Sequence, residues 1–199
     1  MSPSERSRSD RQAEVAEAVW RVLDRDGFVG LSLRVVAAEM GATTGTVTHY
    51  FRSKAALVGY ALELLAQRRD EGERAAPDEP VEALRAALLG MLPLDPTSRS
   101  ATRIWVSSWD AALPSADRSA DHAGRYRRSR DTLAGIVAAA LSGAQKEADA
   151  IVIAEQLQAT MLGLATQAVL DPDAYPADVL SRLVDAAIAR WIGPRLVRA

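Results

Sequence analysis

The chain has 199 residues, enough for one ordinary domain or for a small domain joined to a medium one. Its composition, 48% apolar and 25% charged, is globular, and the absence of cysteine excludes disulfides and thiolate metal sites. The net charge of −2 does not point to a nucleic-acid partner, and the split between +1 for residues 1–70 and −3 for residues 71–199 is slight.

The N-terminal third predicts four helices. We expect a flexible arm over residues 1–8 and a first helix from Ser9, where Ser9 and Gln12 form a capping box, to Gly27. The second helix follows Ser32 and stops at Gly41, the third follows Thr43, and the fourth follows Ser53. These helices form a predicted domain over residues 9–69, with a connector over residues 70–80.

Longer helices fill the remaining domain, residues 81–199. Turn signals separate five of them, predicted as Val81–Met91, Arg99–Ala112, Ser119–Ser142, Ala148–Leu170 and Pro176–Ile192. No apolar run approaches the roughly 18 residues of a membrane span, and the first residues, MSPSERSRSDRQ, do not form a signal peptide. We therefore expect a soluble, cytoplasmic, all-α protein with no membrane partner.

The stretch TTGTVTHYF at residues 43–51 carries the strongest functional signal. Two short helices joined by a three-residue turn with a glycine are typical of a helix-turn-helix, whose second helix reads base edges in the DNA major groove. Short side chains let that helix approach DNA closely, and threonine offers a hydroxyl and a methyl to the bases. We predict base contacts by Thr44, Gly45, Thr46, Thr48 and His49, with Val47 and Phe51 turned to the core.

Phosphate contacts are predicted beside this helix. Thr43, Tyr50 and Lys54 are the candidates, since Lys54 adds a cation to the N-terminal turn of the fourth helix. Arg6, Arg8 and Arg11 of the N-terminal arm are further candidates for phosphate or minor-groove contacts. The pattern alone leaves open that TTGTVTHYF is a loop between core helices and that these cations are solvated.

The N-terminal third resembles the DNA-binding domain of TetR-family transcriptional regulators. The matching stretch is GFVGLSLRVVAAEMGATTGTVTHYFRSKAAL, residues 27–57. The resemblance implies an all-helical homodimer with a three-helix helix-turn-helix domain and a larger C-terminal ligand-binding and dimerisation domain. Two positions depart from the family pattern: Thr48 stands where an aromatic residue is frequent, and Ala56 where an acidic residue is frequent.

The C-terminal part is similar to the BetI-like branch of that family. The features are the pair Trp105 and Trp109, a helix with Tyr126 among arginines, and Gly163-Leu164 leading to an Asp-Pro turn. Ser129 departs from the tryptophan that is frequent in that branch. No ligand is carried over from this similarity.

Two further sites are predicted in the C-terminal domain. The apolar faces of the last two helices predict a four-helix dimer interface, with packing inside one subunit as the alternative. An apolar pocket with a few polar groups predicts a small-molecule site, with a plain core as the alternative. The predicted interface residues are Leu157, Met161, Leu164, Ala168, Leu180, Leu183, Val184, Ala187, Ile188 and Trp191, and the predicted pocket residues are Met91, Arg103, Trp105, Trp109, Tyr126, Gln158 and Met161.

The run RYRRSR at residues 125–130 predicts a solvated helix face, with anion recognition as a subsidiary possibility. His49 and His122 are the only histidines, and neither HExxH, a Gly-rich phosphate loop nor G-x-S-x-G occurs, so no enzyme, cofactor or metal site is predicted. We expect a homodimeric repressor that binds double-stranded palindromic operator DNA and is released by a small-molecule effector. The alternative is a helical-bundle sensor or interaction protein without operator binding.

Overall fold

The computed structural model of the chain describes residues 3–70, 77–141 and 146–193, with side chains for residues 13–64, 77–141 and 149–193. In these ranges the regular structure is helical, which confirms the all-α prediction, and none of the helices is long and apolar enough to cross a membrane. The helices are α1 Pro3–Gly30, α2 Leu33–Glu39, α3 Thr44–Tyr50, α4 Lys54–Asp70, α5 Pro80–Leu89, α6 Pro96–Ala112, α7 Ala116–Ala140, α8 Lys146–Leu170 and α9 Ala177–Ile192.

The chain divides into two compact units that do not simply follow one another. The first unit joins Met1–Gly72 to Arg103–Pro114, and the second joins Glu73–Thr102 to Ser115–Ala199. The division therefore falls inside α6, whose residues from Arg103 onward belong with α1 to α4. The boundary predicted from the sequence, at residues 70–80, places Arg103–Pro114 in the C-terminal domain and does not predict that the chain returns to the first unit.

Side-chain caps define the short helices of the first unit. Seven-residue helices such as α2 and α3 are marginal on their own, so their ends need partners. The hydroxyls of Ser32, Thr43 and Ser53 accept hydrogen bonds from the backbone N–H three residues later, at 3.2, 3.3 and 3.1 Å. Gly41 ends α2 with φ at 62°, in the left-handed region that favours glycine. The predicted caps and the predicted stop are confirmed.

The first helix differs from its prediction at its start, and Gly27 breaks it where the sequence predicts its end. It begins at Pro3 rather than Ser9, so residues 3–8, predicted as an arm, are helical. Proline suits the first turn, where its missing N–H has no helical partner. Gly27 interrupts α1 with φ 61° and ψ −168°, but helical residues continue beyond it to Gly30. The side chains of Arg6, Arg8 and Arg11 lie outside the described residues.

The kink at Gly27 lies against the second half of α6. A Cβ atom added at Gly27 would lie 3.3 Å from Cβ of Ser107. That separation is tighter than an ordinary van der Waals contact, so a glycine is what lets the two helices approach this closely. The contact joins the Arg103–Pro114 segment to α1 within the first unit.

The second unit packs α5, α7, α8 and α9 around one apolar core. Glu79 caps α5, its carboxylate accepting from the N–H groups of Val81 and Glu82 at 3.0 and 2.8 Å. Arg85 of α5 binds Asp185 of α9 with two hydrogen bonds, of 2.6 and 3.2 Å. The fully covered core side chains include Leu84, Leu88, Leu92, Val137, Leu157, Met161, Leu180 and Val184.

Most of the predicted dimer-interface residues lie in this core. Because α8 packs on α7 and α9 packs on α5 of the same chain, their apolar faces are largely covered within one subunit. Leu183 is 37% exposed, and Leu164, Ala187 and Trp191 are partly buried at the edge of the core. The face left for a partner is narrower than the sequence predicted. The residues covered within the subunit are Leu157, Met161, Ala168, Leu180, Val184 and Ile188.

Candidate functional sites

Helix α3 presents a thin surface of short side chains. Seven of the eight residues predicted to contact DNA are exposed, and Thr46 is half-buried. No Cβ stands at Gly45, and one added there would meet only Oγ1 of Thr43, at 3.6 Å. Another backbone can therefore approach α3 closely. The exposed residues are Thr43, Thr44, Gly45, Thr48, His49, Tyr50 and Lys54.

Two buried residues fix the orientation of α3. Val47 is fully buried and Phe51 is 7% exposed, as predicted. The Phe51 ring packs on Tyr60 of α4 with 5.0 Å between ring centroids. Because positions 47 and 51 are four residues apart and share the buried face, positions 45 and 49 lie on the opposite side of the helix, and positions 44 and 48 are exposed at its flank. The sequence pattern predicts this orientation because the apolar and polar positions alternate at helical spacing.

The threonine hydroxyls of α3 are partly engaged with their own helix. Oγ1 of Thr43 lies 3.2 Å from Oγ1 of Thr46, and the Thr48 hydroxyl donates to the carbonyl of Gly45 at 2.9 Å. Thr48 therefore offers its methyl group and its oxygen lone pairs outward, whereas Thr46 is held at the start of the helix. At the other end, the rings of His49 and Tyr50 meet edge to face at 5.6 Å.

Ion pairs neutralise part of the basic charge of the first unit. Nε of Arg21 donates to Glu39 at 2.7 Å, and Nη1 of Arg25 donates to the other oxygen of Glu39 at 2.9 Å. The hydrogen bond from Arg21, followed by that from Arg25, holds the pKa of Glu39 below its ordinary value. Arg25 also pairs with Asp26 at 2.9 Å, so these four charges cancel one another between α1 and α2.

Three cations at the helix-turn-helix have no ion-pair partner. In the part of the chain with described side chains, Arg34, Arg52 and Lys54 are exposed and make no ion pair. Arg34 lies in the first turn of α2, and Arg52 and Lys54 flank the Ser53 cap of α4. The sequence analysis did not single out Arg34 and Arg52. A search for basic residues beside the helix starts would have found them.

The predicted pocket residues fall into both units. Arg103, Trp105 and Trp109 belong to the first unit, with Trp105 6% exposed and Arg103 on the surface. Met91, Tyr126, Gln158 and Met161 belong to the second unit. Within it the structure joins Tyr126 and Gln158, since Nε2 of Gln158 donates to the Tyr126 carbonyl at 3.0 Å. Met161 is fully covered by the core and Met91 packs at its edge.

Polar groups meet in the second unit around one turn of α7. His122 is 5% exposed and Gln158 is 8% exposed, and the His122 and Tyr126 rings lie 6.3 Å apart. Burial, reinforced by the charge of Arg125 and opposed by Asp121, lowers the pKa of His122. Nη1 of Arg125 is buried and has no hydrogen-bond partner among the described residues. The prediction that Arg125 lies on a solvated helix face is therefore wrong for this end of its side chain.

Two family models cover most of the chain. Residues 16–68 match the model for bacterial regulatory proteins of the tetR family. Residues 80–193 match the model for the C-terminal domain of BetI-type transcriptional repressors. The first match contains the whole helix-turn-helix, and the second contains α5 to α9.

One curated relative and two solved structures match this chain over almost its whole length. The HTH-type transcriptional regulator PksA of Bacillus subtilis is 29% identical over 92% of this chain and 90% of its own. The crystal structure of a transcriptional regulator from a Rhodococcus species superposes with a TM-score of 0.74 at 27% identity, covering 90% of this chain and 95% of that one. A regulator from Saccharomonospora viridis, solved in complex with choline, shares the fold with a TM-score of 0.74 at 20% identity, covering 90% and 96%.

Proposed function

We propose that this chain, which belongs to the TetR family of bacterial transcriptional regulators, is a homodimeric repressor that binds a palindromic operator and leaves it when a small-molecule effector binds. The observation that carries the proposal is the surface of α3. Its outward positions are short and polar, its inward positions Val47 and Phe51 are buried, and unpaired cations flank it.

In this proposal α3 enters the major groove. Thr44, Gly45, Thr48 and His49 contact base edges, where threonine offers a methyl to thymine and an oxygen to amino groups. Thr46 supports the reading surface from its half-buried position. Thr43, Tyr50 and Lys54 hold phosphates, and Arg34 and Arg52 add cations at the two helix starts. Phosphate contacts set affinity and orientation, whereas the threonines set sequence preference.

The proposed dimer uses what α8 and α9 leave exposed. Leu183 and the partly buried Leu164, Ala187 and Trp191 supply apolar contacts. Gly163 is exposed, and a Cβ atom added there would meet nothing within 4 Å, so a partner helix can approach closely. A two-fold axis then places two reading helices about one DNA turn apart, ~34–36 Å, or a multiple of it.

Effector release requires a link from the second unit to α3. An effector shifts the equilibrium only if it binds the DNA-free conformation more tightly. We propose α4 as one link to α3, since α4 begins at the Ser53 cap, three residues after α3 ends at Tyr50. The continuous helix α6 is the other, since it starts in the second unit and ends in the first. The chain acts through binding alone in this proposal and catalyses no reaction.

The test is selection of bound sequences from a random DNA pool at two salt concentrations, with the full chain and two matched variants. Gly45→Ala adds a methyl to the outer face of α3, where the protein itself has room at 3.6 Å. Gly59→Ala adds the same methyl on α4, where nothing lies within 4 Å. Both variants should fold, because alanine favours helix.

The expected result is a palindrome enriched by the parent chain and by Gly59→Ala, with at least about tenfold weaker binding by Gly45→Ala. Equal binding by Gly45→Ala would remove α3 from the DNA interface. Salt-sensitive binding with no enriched sequence would support a sensor or interaction protein that does not recognise an operator.

A further inference from the structure

The second unit contains a half-buried arginine, Arg125, that makes no ion pair with any residue whose side chain the structure describes. Nη1 of Arg125 is buried and makes no hydrogen bond within the described residues. The nearest acids along the fold do not compensate it, since Asp121 makes no ion pair with it and Glu155 pairs with Arg130 at 3.3 Å. Arg125 thus differs from Arg25 and Arg85, each of which binds a carboxylate.

Such a group is costly unless something else binds it. A buried guanidinium loses its hydration and recovers that loss only through hydrogen bonds and a nearby opposite charge. An ordered water would satisfy the N–H of Nη1 but would leave the charge uncompensated. An anion would supply both the hydrogen bond and the opposite charge, whereas a neutral acceptor would supply only the hydrogen bond.

The neighbouring residues add positive charge to the same turn of α7. Gly124 has no side chain, and from the point where its Cβ would stand, Nη1 of Arg128 is 3.5 Å away and Nη2 of Arg127 is 3.9 Å away. Neither of these exposed arginines makes an ion pair in the described part of the chain. Three guanidinium groups thus lie within four consecutive residues, and the small residue lets two of them fold back over the helix.

We propose that Arg125 is the anchor of an effector site in the second unit, and that the effector carries a carboxylate. The planar fork of a guanidinium matches a carboxylate in a bidentate arrangement. A carboxylate is also less costly to desolvate beside the buried His122 and Gln158 than a doubly charged phosphate. This deepens the proposed function and rests on it for the word effector, but binding of the acid itself does not depend on DNA.

The site excludes the opposite class of ligand. A quaternary ammonium such as choline, which the Saccharomonospora viridis regulator holds in its crystal, would add a second uncompensated positive charge beside Arg125.

The two histidines make the test direct, because His49 is in the first unit and His122 in the second, next to Arg125. Proton NMR of the full chain follows both imidazoles during titration with benzoate or hexanoate, with their neutral amides, with choline and with inorganic phosphate. A bound carboxylate offsets the charge of Arg125 and should raise the pKa of His122, leaving the His49 signal in place.

Two variants complete the design. Arg125→Met keeps the length of the side chain and removes the charge, and it should weaken carboxylate binding at least about tenfold. Arg130→Met is the matched control on the same helix, since Arg130 already has Glu155 as its partner, and it should bind like the parent chain. Thermal unfolding of both variants verifies that each folds.

Each outcome decides the proposal. A response of His122 to either carboxylate that is lost in Arg125→Met and kept in Arg130→Met supports it. No response to either carboxylate, an equal response to the amides, a preference for choline or phosphate, or an unchanged response in Arg125→Met overturns it. If the random-pool selection finds no operator but the carboxylate response remains, the proposed repressor function fails and the acid site stands. If the selection finds an operator but His122 does not respond to a carboxylate, the proposed acid site fails and the repressor function stands.

Discussion

Arginine has opposite surroundings in the two units. Between α1 and α2, Arg21 and Arg25 are about half exposed and share Glu39, so every charge there has a partner. On α7, Arg125 buries Nη1 with no partner among the described residues, beside a buried histidine and near a buried glutamine. The charges between α1 and α2 are balanced within the chain. In our proposal the charge of Arg125 is balanced only when a ligand binds.

The difference indicates where each unit tolerates substitution. The side chains of the first unit that we propose to face DNA are exposed, so substitutions there should alter binding and leave folding nearly intact. The ligand-facing groups of the second unit lie among core side chains, so substitutions there affect packing and binding together. The predictions below test this separation, from the largest expected effect to the smallest.

The core of the second unit gives the largest effect. Met161 is fully covered, so Met161→Ala should lower the free energy of unfolding by about 2–5 kcal/mol, through lost burial and the cavity left behind. Urea unfolding at several protein concentrations measures the loss. Leu183→Ala, at a residue that is 37% exposed, is the control and should chiefly weaken dimerisation. A concentration-dependent loss for Met161→Ala alone would place Met161 at the dimer interface instead.

The two left-handed glycines of the first unit give the next effect. Gly27→Ala and Gly41→Ala both force alanine into a left-handed conformation, at a cost of about 1–2 kcal/mol. Gly27→Ala should cost more, because its Cβ would also press on Ser107, whereas nothing lies within 4 Å of the corresponding position at Gly41. Thermal unfolding of the pair measures the difference. Equal losses would mean that α6 yields freely to the added methyl group.

Protonation of His122 should make the second unit sensitive to mild acid. Its pKa lies below the ordinary 6.5, so the unfolded chain takes up the proton more readily. Stability is full above about pH 6.5, falls as the pH drops through that value, and levels off below the lowered pKa.

Unfolding by urea from pH 8 to pH 5 measures this loss, and His122→Gln should flatten the profile. The stability that Glu39 contributes is lost only at more acidic pH, since its pKa lies below its ordinary 4.5. A slope that survives in His122→Gln would assign the mild-acid loss to another group.

The smallest effect belongs to the surface of the first unit. Lys54→Ala should weaken binding to all DNA sequences and reduce the slope of log affinity against log salt by about one unit. Arg182→Ala removes the same charge from a 74% exposed side chain in the second unit and should leave the slope unchanged. If the two variants behaved alike, Lys54 would act through net charge rather than through a phosphate.

Local signals predicted the first unit well. Ser32, Thr43, Ser53 and Gly41 act within three or four residues of their own position, so the sequence around each suffices to place a helix end. The predicted start of α1 was wrong because Ser9 and Gln12 resemble a capping box, whereas the helix begins at Pro3. The outward positions of α3 could also be predicted from local sequence, because polar and apolar residues alternate at helical spacing. Their contacts with DNA stay predictions.

Features that depend on contacts between residues far apart along the chain could not be predicted from the sequence. Periodicity marks Leu157 and Val184 as apolar but does not tell whether α5 and α7 of the same chain or a partner subunit covers them. The run from Arg125 to Arg130 was predicted to be solvated, and only the packing of α7 shows that Nη1 of Arg125 is buried. The return of α6 to the first unit brings Ser107 against Gly27, two residues far apart along the chain.

The division inside α6 sets a rule for building hybrid regulators. Exchange of the DNA-binding head at residue 72 alone would join the head of one protein to the α6 segment of another, although Arg103–Pro114 belongs with the head. A chimera should therefore transplant two pieces, Met1–Gly72 and Arg103–Pro114, or keep the contact between Gly27 and Ser107 by matching those two positions. In modular terms, the head of this protein is discontinuous in sequence, and the last part of α6 is inherited with the operator specificity rather than with the sensor.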